Sequence, residues 1–395
     1  MRITNAVGLL VGLTAAACGG ARAGANATAG SERVPAVPED YLLFVASEAT
    51  DEVALVRFSA DRGGYVERSA VVGFHPTDPD GPHGVALSSD GRHYYVTTAH
   101  GVPNGHLFRY ETANDAMVGR VELGLFPASL QISPDGRYAY VVNFNLHGDM
   151  VPSSVSIVST AEMVEVARLT TCAMPHGSRL NAAGTKHYSV CMMDDVLVEI
   201  DTREFRVARH FMLSRGREHG MEGAPRGHGA VSAAHAGGHG LEALAAGSAT
   251  CSPTWAAPLA DGTRVYVACN ARNDIVEVDV ESWQLLRRIP AGDGVYNVGV
   301  TRDGRLLVAT NKRGQSVSVI ERASGRELAR VATQRRVVHG VAISDDDRYA
   351  FISVEGYGAE PGTVEMIDLR SLRRVAAVDV GQMAGGIDFW KRESR

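Results

Sequence analysis

Long apolar runs, basic clusters and the signatures of common enzymes are all missing from this chain of 395 residues. No apolar stretch reaches the roughly eighteen residues that a membrane-spanning helix needs. Lysine and arginine number 39 against 45 acidic residues and form no basic run, which argues against a nucleic-acid-binding surface. The GxSxG, HExxH and phosphate-loop motifs are absent, as is any strand-linked GxGxxG. No CxxCH occurs either, which excludes the usual attachment of a c-type haem.

Glycine, by contrast, is abundant. It supplies 43 of the 395 residues, about 11% against about 7% in average proteins. Together with scattered valine, isoleucine and tyrosine, this composition indicates many short strands joined by tight turns. A chain of this length can bury a large core without help from a metal or a disulfide. A single large all-β domain therefore suits both the length and the composition.

The first eighteen residues have the layout of an export signal, with Arg2, an apolar middle and small residues before Cys18. The ending AAAC followed by two glycines resembles a bacterial lipoprotein signal. That resemblance implies a lipidated Cys18 and a location in the periplasm or on the outer cell surface. Ala15 stands where such signals usually carry leucine, so a plain signal cut after Ala17 is the alternative. We therefore assign residues 1–18 to an export or lipoprotein signal.

The rest of the chain repeats one phrase. Its clearest copy is PASLQISPDGRYAYVVN at 127–143, in which an Asp-Gly turn joins two alternating apolar strands. Such a pair is the strongest short-range sign of a β-hairpin. Further copies lie at 82–98, 175–191, 253–269, 296–310 and 339–354. Each copy is followed by two more strands, so the repeat predicts a four-stranded antiparallel sheet.

These repeats predict an all-β fold, a seven-bladed β-propeller over residues 39–395. The seventh first strand, at 384–390, has no partners after it, whereas three strands near the beginning of the repeats lack a first strand. Pairing the two ends closes the ring and removes an exposed sheet edge. Residues 19–38, which are small and rich in glycine and alanine, predict a flexible linker. One repeat is longer than the others, which predicts a His/Gly-rich insertion at about 211–250.

Residues 133–143, 266–270 and 308–311 resemble the YVTN-type repeat of YncE-like seven-bladed propellers. The resemblance extends over about 40–390. The wider propeller class includes the N-terminal domain of nitrous oxide reductase and the cytochrome d1 domain. Membership of this class implies the fold and says little about function.

In propellers of this kind the first strand of each blade lines the central channel. The resemblance thus implies that His83, His176 and His339, which begin the first strands of blades two, four and seven, face one axis. Three imidazoles on rigid strands can form a metal site, for which copper is favoured and zinc is the competitor outside the cytoplasm. The alternative is that these histidines are solvated or bonded to backbone carbonyls, at a mouth too wide for one ion.

The same mouth is expected to receive the ends of the second strands and the insertion. The second strands contribute His100, His147, Met192, Asn311 and Glu355. The insertion contributes His219, His228, His235 and His239, together with Met221. A segment rich in glycine, histidine and methionine above a histidine-lined funnel suits the capture of a soft or borderline metal.

Four cysteines other than Cys18 fall in two similar pairs. They are Cys172 with Cys191, and Cys251 with Cys269, at spacings of 19 and 18 residues. In an exported protein, an even number of cysteines with similar spacing in two repeats indicates two disulfides, each closing within its own blade. Free thiolates that bind copper, and pairing across blades four and five, are the alternatives.

The sequence therefore predicts an exported, monomeric propeller that binds a metal or a small ligand at the histidine-lined mouth. It predicts no nucleic-acid partner and membrane contact only through the N-terminal lipid anchor. One alternative is a protein-interaction scaffold at the cell surface. Another is a propeller enzyme, either a metal-dependent oxidoreductase or a lactonase-like hydrolase in which Glu355, Asp195 and Arg179 are the available charged groups.

Overall fold

The structure, a computed structural model, describes residues 39–73, 79–100, 105–225 and 250–395. These residues all belong to one compact unit, Pro38–Arg395. Within these ranges the regular structure consists of strands and one 3-10 turn, Glu48–Thr50. None of the described residues forms a helix that is long and apolar enough to span a membrane. The predicted signal, Cys18 and the predicted linker lie outside the described residues.

The strands form seven antiparallel sheets, the blades of a propeller. Blade one contains β1 (Glu39–Ser47), β2 (Glu52–Ser59), β3 (Gly63–Val71) and the last strand of the chain, β29 (Ala384–Ser394). Blade two contains β4 (Pro82–Leu87), β5 (His93–Thr98), β6 (His106–Glu111) and β7 (Met117–Glu122). Blade three contains β8 (Pro127–Ile132), β9 (Tyr138–Asn143), β10 (Pro152–Ser159) and β11 (Val164–Ala173). Blade four contains β12 (Pro175–Leu180), β13 (Lys186–Cys191), β14 (Val196–Asp201), β15 (Arg206–Met212) and β16 (His219–Glu222).

The remaining three blades have four strands each. Blade five contains β17 (Pro253–Pro258), β18 (Arg264–Cys269), β19 (Asp274–Asp279) and β20 (Gln284–Pro290). Blade six contains β21 (Val295–Val300), β22 (Leu306–Asn311), β23 (Ser316–Glu321) and β24 (Arg326–Ala332). Blade seven contains β25 (Val338–Ile343), β26 (Tyr349–Val354), β27 (Gly362–Asp368) and β28 (Arg373–Val380). The prediction of a seven-bladed all-β propeller is confirmed.

The ring closes as predicted, because the last strand of the chain completes the first blade. The order in that sheet is β29-β1-β2-β3. Leu43 pairs with Phe389 and Val45 with Ile387 in the antiparallel register between β1 and β29. Pairing the two ends of the repeat region leaves β29 as the innermost strand of blade one and removes the edge that an open ring would expose.

Adjacent blades pack face to face through apolar side chains. Seven apolar clusters among the described residues each combine two neighbouring blades. Tyr41 of blade one meets the ring of Tyr349 of blade seven at a centroid distance of 4.9 Å, and Phe44 stacks on Tyr94 of blade two at 4.7 Å. Because both faces of most strands are covered, the core is a closed series of interfaces around the axis.

Hydroxyl groups of second strands fix the innermost strands to each other. The hydroxyl of Thr310 accepts the N–H of Asn297 at 2.9 Å and donates to the carbonyl of His339 in the next blade at 3.0 Å. Thr97 makes the same bridge between blades two and three, and Ser353 between blades seven and one. These bridges hold the residues that begin the inner strands at set positions around the axis.

We expect Thr310→Val to lower the free energy of unfolding by about 1.5 kcal/mol, because it leaves a buried N–H and a buried carbonyl without their partner. Urea titration followed by far-UV circular dichroism measures the effect. Thr50→Val, at an exposed threonine, is the control and should leave the midpoint unchanged. A Thr310 variant as stable as the wild type would show that these bridges do not hold the hub.

Both predicted disulfides form with the predicted pairing, Cys172 with Cys191 and Cys251 with Cys269. The prediction that each closes within its own blade is wrong for the first. Cys172 lies on β11, the outermost strand of blade three, whereas Cys191 ends β13 of blade four. The strand β11 continues to Ala173, and Met174 with a φ of 52° turns the chain directly into blade four. The first disulfide therefore links two blades.

The insertion predicted at about 211–250 begins later than expected. Residues 211 and 212 belong to β15, and the chain then folds back as β16, a fifth strand at the outer edge of blade four. His219 begins β16 opposite Met212, so three strands separate it from the inner strand β12. This pairing places His219 away from the axis, contrary to expectation. His228, His235 and His239 lie outside the described residues.

Candidate functional site

The three predicted histidines converge at one end of the central channel. Each is the second residue of an inner strand, His83 on β4, His176 on β12 and His339 on β25. The centroid of the His83 ring lies 6.3 Å from that of His176 and 5.6 Å from that of His339. His176 and His339 are buried, and His83 is half-buried. The repeat therefore brings the three imidazoles into one cluster, which we call the hub cluster.

Tyr296, the second residue of the inner strand β21, connects two of these histidines. Its hydroxyl lies 3.0 Å from Nε2 of His176 and 3.3 Å from Nε2 of His339. Nδ1 of His176 lies 2.9 Å from the carbonyl of Thr254, which can only accept, so this nitrogen carries the proton. Nε2 of His176 then accepts the tyrosine hydroxyl, and Nε2 of His339 lies within hydrogen-bond distance of the same oxygen.

Burial keeps these groups neutral. Removal from water lowers the pKa of His176 to about 3 and the pKa of His339 well below its usual range. Burial also raises the pKa of Tyr296 to about 12, although the charge of Lys312 opposes the rise. At neutral pH two imidazoles of the hub cluster are thus neutral, and so is the phenol of Tyr296 beside them.

A carboxylate, Glu48, ties the third histidine to a fourth. Glu48 belongs to the 3-10 turn after β1 and lies 2.7 Å from Nδ1 of His83 and 2.5 Å from Nε2 of His100. Burial alone would raise the pKa of Glu48, but the charges and hydrogen bonds of the two histidines outweigh it and lower the pKa well below the usual range. The hydrogen bond to Glu48 raises the pKa of His100.

Lys312 places a positive charge beside the hub cluster. Its Nζ lies 2.9 Å from Oε1 of Glu355 and 4.5 Å from the centre of the Tyr296 ring. Burial lowers the pKa of Lys312, but the interactions with Tyr296 and Glu355 outweigh this effect and raise it. The same Glu355 oxygen lies 4.0 Å from Nε2 of His339. Glu355 therefore reaches the predicted site, with Lys312 as its main partner.

The other predicted mouth residues have different positions. His147 lies next to His100, with the two ring centroids 5.8 Å apart. Met192 packs against a small apolar cluster that contains Phe126. Asn311 is fully buried, and its side-chain nitrogen donates to Ser316 and Ser318 of the next strand in the same blade. Asn311 thus holds two strands of blade six together rather than facing the channel.

Below the hub cluster lies an axial cavity of about 470 Å³. His83, His339 and Trp255 border it at the hub end, and Arg179 and Asp388 border it further along the inner strands. The histidines are the second residues of their inner strands, and Arg179 and Asp388 are the fifth. The two sets therefore lie three positions apart along the strands, a distance of about 10 Å. A cavity of this size lies within the usual range of small-molecule sites, about 300–1,000 Å³.

Among the described residues, no group of three or more histidine, cysteine, aspartate or glutamate side chains is arranged to hold a metal ion. The hydrogen bonds of the hub cluster give a physical reason. Both Nε2 atoms that face Tyr296 are engaged by its hydroxyl, and Nδ1 of His83 is engaged by Glu48. An ion at the three rings would have to displace these bonds.

Sequence reasoning missed Tyr296, Glu48 and Lys312 as members of the site. Tyr296 was detectable, since it occupies the position of the three histidines in the repeat. Lys312 directly follows the second strand of blade six, where mouth residues were expected. No sequence signal pointed to Glu48. It lies in the 3-10 turn after β1 of blade one, outside the repeated hairpin that was aligned.

The comparisons with known proteins agree with the fold. No protein-family model matches the chain, and no curated protein matches it. Among solved structures, hydrazine synthase of Kuenenia stuttgartiensis is similar, with 19% identity and a TM-score of 0.58 over 80% of this chain and 91% of that chain. A functionally unknown protein of Desulfotomaculum acetoxidans is also similar, with 16% identity and a TM-score of 0.65 over 89% of this chain and 99% of that chain.

The periplasmic gluconolactonase PpgL of Pseudomonas aeruginosa is a third similar structure. It has 16% identity and a TM-score of 0.64, over 89% of this chain and 99% of that chain. At these identities the likeness is one of fold, a seven-bladed propeller. It transfers no activity by itself, because propellers with unrelated sites share this architecture.

Proposed function

We propose that this protein binds a small polar molecule in its axial cavity, against His83 and His339 of the hub cluster. The observation that carries the proposal is the convergence of imidazoles from separate blades on one end of a cavity of about 470 Å³. Rigid inner strands and hydroxyl bridges hold these rings in place, so the site is formed before a ligand arrives. We also propose that the chain belongs to the YncE-like family, and this assignment rests on the resemblance of its repeat residues.

Copper remains the metal that we propose for this site if the ligand is an ion. Two of the three imidazoles are neutral at neutral pH, which is the form that binds metals. Because the Tyr296 hydroxyl occupies both Nε2 atoms, Tyr296→Phe should strengthen copper binding if copper is the ligand. The two disulfides support an oxidising compartment, and the periplasm or outer cell surface stays our proposed location.

A second candidate is lactone hydrolysis, which the similar gluconolactonase structure suggests. The hub cluster could supply the acid–base groups, since His83 and His100 share Glu48 and a phenol lies between two neutral imidazoles. Hydrolysis of glucono-δ-lactone by the purified protein, lost in His83→Ala, would support this activity.

The test of binding uses the full chain with four probes, namely glucono-δ-lactone, gluconate, Cu²⁺ and Zn²⁺. Trp255 borders the cavity, so tryptophan fluorescence and thermal shift can both report occupancy. We expect His83→Ala and His339→Ala to weaken the binding of the successful probe by about tenfold, the value of one hydrogen bond to a polar ligand. His93→Ala is the matched control, because His93 begins β5 at the opposite end of blade two.

Two results would contradict the proposal. One is a wild-type protein that binds none of the four probes at millimolar concentration. The other is binding that persists unchanged in both hub variants while their melting temperatures match that of the control.

A further inference from the structure

The axial cavity carries a second set of polar groups about 10 Å from the histidines. Arg179 is the fifth residue of its inner strand, β12. The equivalent residues of the other blades are Ala86, Gln131, Ala257, Gly299, Ala342 and Asp388. Four of these are alanine or glycine, so the side chain of Arg179 extends into space that small residues leave open.

Arg179 forms no direct ion pair with any carboxylate of the described residues. Among the described residues no aspartate or glutamate lies within 4.0 Å of its guanidinium, although the chain has many such pairs elsewhere. Its own contacts are the carbonyl of Ser178 at 3.2 Å, the side-chain oxygen of Asn297 at 3.5 Å and the ring of Trp255 at 5.2 Å. A half-buried guanidinium whose direct contacts are all neutral is costly, and an anionic ligand would reduce that cost.

Asp388 borders the same cavity and is held by the backbone. Its two oxygens accept the N–H groups of Leu87 and Phe389, each at 2.9 Å. Burial raises the pKa of Asp388 to about 6 and lowers the pKa of Arg179 to about 10, and each charge partly offsets the effect of burial on the other. The two groups are therefore near enough to interact, yet too far apart to form a direct ion pair.

The charged side chains of the cavity wall favour an anion. They are Arg179, Arg302 and Asp388, two positive charges against one negative. Gln131 also lines the wall, and its side-chain oxygen already accepts the N–H of Leu180 at 3.1 Å, which leaves its NH₂ group as a donor. The wall thus offers donors for a carboxylate and, in Asp388, an acceptor for a hydroxyl or ammonium group.

We infer that the ligand of this cavity is a small organic acid with a hydrogen-bond donor, whose carboxylate binds Arg179 and whose hydroxyl or ammonium group binds Asp388. This inference rests on the proposed function, because it specifies the ligand of the same cavity.

The test compares four probes on the full chain by calorimetry. Gluconate is the hydroxy acid, alanine is the amino acid, propionate is a carboxylate without a second donor, and glucose is a neutral polyol. We expect gluconate or alanine to bind at least about tenfold more tightly than propionate and glucose, and Arg179→Gln to remove this preference. Asp388→Asn should reduce the advantage over propionate and leave the binding of propionate itself intact.

Stability provides an independent readout. Without ligand, Arg179→Gln should raise the melting temperature, since it removes a half-buried charge that forms no direct ion pair with a described carboxylate. The matched control is Arg209→Gln, which should lower the melting temperature because Arg209 bonds Glu199 at 2.7 Å.

The possible failures can be told apart. If glucose binds as well as gluconate, and Arg179→Gln binds both equally, the carboxylate inference is wrong while small-molecule binding stands. If none of the four probes binds and Arg179→Gln lowers the melting temperature as Arg209→Gln does, Arg179 is a structural residue and the inference is overturned.

Discussion

Replacing Asp195 by alanine is expected to lower the free energy of unfolding by about 4 kcal/mol, the largest single-residue effect that we predict. Asp195 is buried in the turn between β13 and β14. Its carboxylate accepts the backbone N–H groups of Thr250, Cys251 and Ser252 at 2.6–3.1 Å. It also accepts the hydroxyl of Ser214 at 2.8 Å. Removing it leaves several buried donors without an acceptor.

The position of these donors explains the size of the effect. Ser214 lies two residues after the end of β15, and residues 250–252 lead into blade five, so one carboxylate joins the two sides of the insertion. The backbone of Asp195 is left-handed, with a φ of 52°, a conformation that aspartate and asparagine tolerate better than alanine. Asp195 therefore has a structural role, and its use as a lactonase carboxylate is not supported.

Chemical denaturation of Asp195→Ala, Asp195→Asn and the wild type measures the loss. The asparagine variant keeps the backbone conformation and one acceptor oxygen, so its loss should be about half as large. Asp135→Ala is the control, because Asp135 is exposed and its loss should cost less than about 0.5 kcal/mol. Equal stability of Asp195→Ala and the control would show that the carboxylate does not stabilise the contact between Ser214 and residues 250–252.

Replacing His187 by leucine is expected to protect the protein from acid. His187 is fully buried on β13, stacks on Tyr140 at a centroid distance of 5.2 Å, and has no hydrogen-bond partner for either ring nitrogen among the described residues. The equivalent residues of the other blades that carry the repeat are Tyr94, Ala139, Val265, Leu307 and Ala350. Leucine therefore already occupies this position in blade six.

The direction of the pH effect follows from the lowered pKa. Burial lowers the pKa of His187 to about 3, against about 6.5 in an unfolded chain. Above pH of about 6.5 neither state binds a proton. As the pH falls below that value, the unfolded chain gains a proton that the folded protein excludes, so stability is lost until the pH reaches the folded pKa. The loss between about pH 8 and pH 5 amounts to about 2 kcal/mol.

Unfolding in urea at about pH 8 and about pH 5 tests this expectation. The wild type should lose about 2 kcal/mol more than His187→Leu between the two conditions, and the control His93→Leu should behave as the wild type. The expectation fails if the wild type and His187→Leu lose stability in parallel as the pH falls.

The fold could be predicted because its signals are local and repeated. Each Asp-Gly hairpin predicts the positions of two strands, and the unpaired strand at 384–390 predicts how the ring closes. The repeat alignment also placed His83, His176 and His339 at equivalent positions, which is why they meet at the axis. It failed for Asn311, because successive side chains of a strand point to opposite faces of the sheet, and that of Asn311 bonds Ser316 and Ser318 within its own blade.

The site could be predicted only in part. The position of Tyr296 was available in the alignment, but its bond to two imidazoles depends on the distance across the axis. The pairing of Glu48 with His83 joins residues of different blades, 35 positions apart. Cys172 also bonds a residue of another blade. Its partner, Cys191, was predicted correctly, but Cys172 was assigned to blade four and lies in blade three.

The sequence by itself determined the blades, their number, the closing strand and which residues begin each inner strand, because these follow from periodicity and turn chemistry along the chain. Only the tertiary structure decided which of those residues touch, which are engaged by neighbours and where an unpaired charge remains. Arg179 illustrates the difference. Its residue type was visible in the sequence, but the small residues that surround it come from other blades, and only the closed ring brings them around its guanidinium.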